Sequence, residues 1–201
     1  MNELRQILDD SVTRLFAERV DREFLSQVED AGFSAELWAL AQEQGLTHVL
    51  VSENGGGMNA AWADAYVVVR ACGRYAVPLP VPETMLGLWL LERAGAPLVE
   101  GVIGLLPSPV TLGADGTLTA EIPRVPWGRD ASAFVGTTTD GRLLTFDTTA
   151  ANVREALNLA REPRDTVHFD RARPTSSHAL DLPPDCVRWL GALLRSAQIA
   201  G

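Results

Sequence analysis

The sequence contains no lysine; all seventeen of its basic residues are arginine. That absence excludes a P-loop lysine, a Schiff-base lysine and a pyridoxal phosphate anchor. Cysteine is nearly absent too. Cys72 and Cys186 stand far apart, form no CxxC pair, and each lies in an apolar helical pattern. The spacing predicts two buried free thiols in a reducing compartment, here the cytoplasm. The first residues, Met1-Asn2-Glu3-Leu4-Arg5-Gln6, lack the basic-then-apolar order of a signal peptide. The longest apolar run, near residues 85–91, is far too short to span a bilayer. Positive charge is scarce overall: 17 basic against 26 acidic residues give a net charge of −9 and a pI near 4.8. Such a chain is poorly suited to nucleic acid or to an anionic membrane face. Nucleotide and nucleophile motifs are missing as well. There is no GxGxxG, no GxxxxGK[ST] and no GxSxG; Gly32-Phe33-Ser34 runs on into Ala-Glu.

What remains is ordinary globular composition, with 46% hydrophobic and 21% charged residues over 201 positions. A chain of this length forms one or two compact units and buries about 70% of its unfolded surface without disulfide or metal. A disordered, collagen-like or coiled-coil chain is excluded. No internal repeat or low-complexity tract is present.

Three parts follow from pattern. Residues 1–97 read as a helical domain. Leu4, Ile7, Leu8, Val12, Leu15 and Phe16 recur at helical spacing. A short helix is predicted over residues 22–31 with Phe24, Leu25 and Val28 inward. A third is capped by Ser34 and closed by Gly45. A fourth, over residues 60–72, carries the apolar run Tyr66-Val67-Val68-Val69 and is expected to be central. Proline at 78, 80 and 82 interrupts the chain before a helix over residues 83–93. Residues 98–182 lose helical period and read as a small β-barrel or sandwich. Asp115-Gly116 and Asp140-Gly141, each between β-formers, predict two hairpins, and Val167-His168-Phe169 a further short strand. Residues 183–201 form one helix with the stripe Val187, Leu190, Leu193, Leu194 and Ala197. The predicted class is α+β: a helical domain, a small β-domain and the opening helix of a truncated C-terminal bundle.

Four features invite a chemical reading, each beside a plainer one. Gly55-Gly56-Gly57 before a helix resembles an anion nest, but a loop between helices explains it equally well. His168 and Asp170 share a strand face, as metal ligands or a general base would; a solvated strand end is the default. Arg161, Arg164, Arg171 and Arg173 are suited to phosphate, yet Glu162, Asp165 and Asp170 interleave with them as in a salt-bridged surface. The five tryptophans read as core or interface. No nucleophile–base pair is visible, which opposes an unrelated hydrolase.

The order of parts resembles an acyl-CoA dehydrogenase. Leu37-Trp38-Ala39-Leu40-Ala41 with Gly45-Leu46 is similar to that family's helix ending in A-x-x-G-L. Val51-Ser52-Glu53-Asn54-Gly55-Gly56-Gly57 resembles its V-P-E-x-x-G-G-x-G loop. Arg70-Ala71-Cys72-Gly73-Arg74, followed by Pro78 and Pro80, resembles its E-x-L-G-R turn. Asp130-Ala131-Ser132-Ala133-Phe134-Val135 resembles its A-D-x-x-x-V strand, and residues 164–170 resemble the stretch that closes its β-domain. Residues 192–201 resemble the opening of its first C-terminal helix. The resemblance implies α,β-dehydrogenation of an acyl-CoA thioester. A glutamate removes the α-proton, a hydride passes from Cβ to FAD, and electrons leave to an electron-transfer flavoprotein. The glutamate belongs to the C-terminal bundle, so the resemblance assigns no catalytic residue and no metal ligand here.

It places Leu106, Ser108 and Trp127 at the flavin. Two departures lie beside them. Leu106-Pro107-Ser108-Pro109 stands where the family has L-T-E-P-x-x-G-S-D, and Arg124-Val125-Pro126 stands where it has W-I-T. Proline offers neither a backbone N–H nor a hydroxyl. A degenerate flavin site is therefore expected, as in one subunit of the heteromeric enzymes of bacterial steroid and side-chain degradation. The implied partners are an acyl-CoA, a flavin-bearing partner subunit or a second copy, and an electron-transfer flavoprotein reached through the complex. The alternative is a non-catalytic structural or acyl-CoA-binding module of the same fold.

Overall fold

A computed structural model describes residues 3–201, apart from the side chains at positions 30 and 31. The chain divides into two compact units, one running to Met85 and resuming at Ala192–Gly201, the other Leu86–Gly191.

The first unit is helical. Helix α1, Glu3–Arg19, buries Leu8, Val12, Leu15 and Phe16 and packs on α4. Ile7 departs from the expected stripe and is 58% exposed. It lies in line with Ser11, Arg14 and Glu18 at steps of four, seven and eleven, on the polar face. Helix α2, Arg22–Ala31, is capped by Asp21, which accepts from Phe24 N at 2.8 Å; Phe24, Leu25 and Val28 are half-buried. Helix α3, Ala35–Glu43, begins where Ser34 Oγ accepts from Leu37 N. It ends at Gly45, whose φ of +68° costs glycine little. Helix α4, Trp62–Arg74, buries Ala65, Val67, Val68, Val69, Ala71 and Cys72. Tyr66 breaks the expected apolar run. It is 42% exposed, on the side shared with Trp62, Arg70 and Arg74. Asp64, buried in the first turn of α4, accepts from Ala61 N at 3.1 Å and from Arg5 Nε at 2.9 Å, joining α4 to α1. Helix α5, Val81–Arg93, starts two residues earlier than predicted, because proline is tolerated in a first turn and Pro82 sits there.

The second unit is a β-sandwich, not a closed barrel. One sheet runs β1-β3-β4-β7: Ile103–Leu105, Ala133–Thr137, Arg142–Asp147 and Ser176–Ala179. The other runs β2-β6-β5: Leu118–Pro126, Arg164–Ala172 and Ala151–Arg154. Between them lies a core of Leu118, Ile122, Phe134, Leu144, Phe146 and Phe169 with their neighbours. Phe169 meets Phe146 at 4.8 Å between centroids and Phe134 edge-on at 5.8 Å. The Asp140-Gly141 hairpin forms as predicted, with Thr137 opposite Leu143.

The Asp115-Gly116 hairpin does not form. Asp115 closes a tight turn by accepting from Thr117 N and Oγ1. Val110, however, bridges Thr138 in one sheet, while β2 pairs with β6 in the other. The turn chemistry is right and the partners differ, since the apolar residues on either side fill opposite layers of the sandwich. The predicted three-residue strand at Val167 is nine residues long because its neighbours Asp165 and Thr166 are buried as well.

Helix α6, Cys186–Ile199, opens in the second unit, where Thr137 Oγ1 donates to the carbonyl of Pro184. Its last residues lie in the first unit, where Arg195 Nη2 meets Glu83 Oε1 at 3.0 Å. Val187 and Leu194 are buried, and Leu190 and Ala197 half-buried. Leu193 falls off that stripe onto the side of Trp189, and both are mostly exposed.

One buried carboxylate joins three segments of the second unit. Asp165, fully buried in β6, accepts from Arg129 N at 2.8 Å, Arg129 Nη2 at 2.6 Å and Ala156 N at 2.9 Å. Asp165→Ala leaves two backbone N–H groups without their acceptor and takes from the Arg129 guanidinium its buried one. It should lower unfolding free energy by about 3–5 kcal/mol, read as a fall in the urea midpoint at unchanged slope.

Candidate functional site

The second unit holds an open cavity of about 720 Å³ between residues 107–111 and residues 118–124, with Arg188 at its edge. Two accidents of backbone build it. Leu106 N donates to Val135 O at 2.9 Å, and Val110 N to Thr137 O at 2.8 Å. Between these two anchors, Pro107-Ser108-Pro109 supplies a single N–H, that of Ser108. The chain must therefore leave the sheet edge and bow outward.

On the facing wall, β2 pairs in register with β6 from Ala120↔Phe169 to Ile122↔Val167, after a first shift at Leu118/Ala120, and slips again before Val125↔Asp165. Pro123 and Arg124 occupy the slip. Arg124 takes φ +61°, unusual for an arginine in a strand, at a cost of roughly 1–3 kcal/mol.

Of the three residues expected at the flavin, only Ser108 lines this cavity, and it is exposed. Leu106 is fully buried in the sandwich core. Trp127 follows β2 with φ +53°, its N–H donates to Pro163 O, and its ring is buried. Arg124 and Arg188 escaped the sequence reading. The signal for the first was Pro123: a proline inside an otherwise regular strand pattern marks a bulge. Nothing in the sequence marks Arg188.

The other candidates resolve into ordinary contacts. The N–H groups of Gly55, Gly56 and Gly57 are spent on Ser52 O, Glu53 O and Ser52 O, which leaves no nest open to an anion. His168 Nε2 meets Glu121 Oε2 at 2.9 Å on the surface, and the same glutamate takes Arg154 at 2.9 Å. Arg164 pairs with Glu162 at 2.8 Å, Arg171 with Asp115 at 3.5 Å, and Arg173 donates to Asp115 O at 3.2 Å. Among the described residues no group of three or more His, Cys, Asp or Glu side chains is placed to hold a metal ion. Cys72 and Cys186 are buried free thiols, and burial raises the pKa of both above that of an ordinary thiol. Trp38 and Trp127 are buried and Trp89 is half-buried, whereas Trp62 and Trp189 face solvent. No helix among the described residues is long and apolar enough to cross a membrane.

Residues 2–98 match the acyl-CoA dehydrogenase N-terminal domain. The helical part of the chain is thus similar to that domain, and the chain has the acyl-CoA dehydrogenase fold. The acyl-CoA dehydrogenase IpdE2 of Mycobacterium tuberculosis is 32% identical over 106 residues, which is 51% of this chain and 33% of that protein. IpdE2 of Mycolicibacterium smegmatis is 27% identical over 167 residues, 80% of this chain and 50% of that one. The alignments thus take in no more than half the length of these relatives. Among solved structures, the ChsE4–ChsE5 complex from Mycobacterium tuberculosis superimposes with a TM-score of 0.83 at 18% identity. That match covers 98% of this chain and 63% of the other, a likeness of fold.

In this acyl-CoA dehydrogenase fold the short turn after Trp127 carries one perturbed acid. Burial, aided by Asp165 and Glu155, pushes the half-buried Asp130 carboxyl up to about 6 from an ordinary 3.8, against the opposing pull of Arg129. The folded state therefore holds this proton more tightly than the unfolded one. The Asp130 contribution to stability is most favourable below the unfolded pKa and declines as pH rises through the interval from 3.8 to about 6. Asp130→Asn should remove that decline. The wild-type melting temperature, minus that of the variant, is expected to fall across this window and to stay level above it.

Proposed function

We propose that the chain is a subunit of an acyl-CoA dehydrogenase assembly that acts on an acyl-CoA thioester, with the flavin held by a partner subunit. The observation that carries this reading is the cavity wall. Pro107, Pro109 and Pro123 contribute no N–H to it, and the Val110 N–H is already spent on Thr137 O. Backbone N–H donors beside a flavin pyrimidine edge would hold it in place, and the prolines leave this wall with few of them. Leu106 and Trp127, the other positions implied for the flavin, turn their side chains into the core.

No step of the reaction is therefore routed through FAD in this chain. Its part is to shape the acyl-CoA pocket and to complete an oligomer in which α,β-dehydrogenation takes place. Electrons then pass to an electron-transfer flavoprotein. The fold likeness to a complex of two differently named chains supports a heteromer. The steroid and side-chain acyl groups implied by the sequence resemblance are the proposed substrate class.

Purification of the chain alone, and after co-expression with a flavin-bearing acyl-CoA dehydrogenase subunit, tests this by flavin absorbance. The chain alone is expected to be colourless and to copurify in a yellow complex that oxidises acyl-CoA. A yellow chain on its own would overturn the reading of the proline wall. A colourless chain that never joins a complex would make it a structural or acyl-CoA-binding module instead.

A further inference from the structure

Most arginines of the second unit are occupied. Seven of them hold a carboxylate, a hydroxyl or a carbonyl oxygen. Arg124, Arg161 and Arg188 do not: among the described residues none of these three guanidinium groups has a hydrogen-bond or ion-pair partner, and of the three Arg124 and Arg188 line the same cavity. Glu121 is the one carboxylate in the wall, and Arg154 and His168 already engage it.

A protein of net charge −9 thus keeps two uncompensated cations at one cavity. Arg124 is there because the backbone is forced to put it there. The bulge after Ile122 and the left-handed φ of +61° aim a strand residue out of the ladder. A non-glycine residue in that region persists only where surrounding contacts over-determine it, so the position of Arg124 is fixed by the fold around it.

We infer that Arg124 and Arg188 form an oxyanion-recognition site in this cavity, taking the oxygens of a carboxylate or a phosphate ester, with Ser108 as a neutral donor beside them. Guanidinium groups present forked N–H pairs that match either oxyanion. The source of the oxyanion rests on the acyl-CoA reading above: it belongs either to a carboxylate on the acyl group or to the phosphates of coenzyme A. The anion site itself does not depend on that reading.

Calorimetric titration of the full chain with butyryl-CoA, succinyl-CoA and glutarate separates the cases. Wild type is compared with Arg124→Gln and Arg188→Gln, and with Arg161→Gln as a control on an exposed arginine outside the cavity. If an acyl carboxylate is read, succinyl-CoA binds about tenfold tighter than butyryl-CoA, and the two cavity variants lose the preference. If the phosphates are read, both esters bind alike and both weaken together in those variants. Glutarate bound and lost in the variants, with neither ester bound, upholds the anion site and overturns the acyl-CoA reading. Binding of any probe that is unchanged in Arg124→Gln and Arg188→Gln, or no binding at all, overturns the inference; in the first case, ester binding leaves the acyl-CoA reading standing. Arg124→Gly adds a check that a folding defect cannot imitate. Glycine relieves the left-handed backbone, so its melting temperature should rise while oxyanion binding falls.

Discussion

The β-unit depends on a buried charge that has somewhere to go. Asp165 has no exposed surface, and an ionised carboxylate in that position is tolerable only if its oxygens are fully engaged. Arg129 engages them with its backbone N–H and its guanidinium, and Ala156 adds a second backbone donor. These donors come from the turn after β2 and from the connection between β5 and β6. One side chain therefore sets where two connections lie. Gly128 lies tight against the same side chain: a Cβ there would stand 3.1 Å from that of Asp165. The Arg129 guanidinium reaches outward as well, to Glu155 at 2.7 Å, so the buried charge is tied through one arginine to the surface.

That arrangement also bears on the strained end of β2. Asp165 lies directly opposite Val125 in the ladder. Val125 is fully buried and sits between two residues of positive φ, Arg124 and Trp127. Two such non-glycine residues within four positions cost roughly 1–3 kcal/mol each, and they persist only where surrounding contacts over-determine them. Here the contacts are the buried Val125, the Asp165 clamp and the Trp127 N–H on Pro163 O. The bulge that presents Arg124 is held from behind by the same carboxylate that organises the loops.

Local rules explain which parts were legible in the sequence. The cap of Ser34, the stop at Gly45, the buried face of α4 and the Asp140-Gly141 hairpin each follow from neighbours within about four residues. The order of helical, β and helical regions was likewise readable from period. What was not readable required knowing the partner strand. Asp115-Gly116 makes its turn, yet its flanks join different sheets. Asp165 reads as one acid among surface arginines, because its true partner is Arg129, thirty-six residues earlier. The exposed Ile7 and Tyr66 show the same limit in helices: apolar content was read correctly, and the face was decided by which residues lie a turn away. Arg188 had no local mark at all, since its role comes from a cavity built by two distant segments.

Proline explains why the cavity has its character. Where the resembling family places residues that can donate, this chain has Pro107 and Pro126, with Pro109 and Pro123 close by in the same two segments. Each removes an N–H from the wall or from the strand beside it, and each restricts the backbone. A wall so made is stiff and poor in backbone donors. Any polar ligand that enters must then be held by side chains. The side chains on offer are hydroxyls and arginines whose charge is unanswered among the described residues, so discrimination there falls on the ligand's negative charge more than on a pattern of amide hydrogen bonds. At the bulge that Pro123 introduces, the loss of one backbone donor coincides with the presentation of one unpaired guanidinium group, that of Arg124.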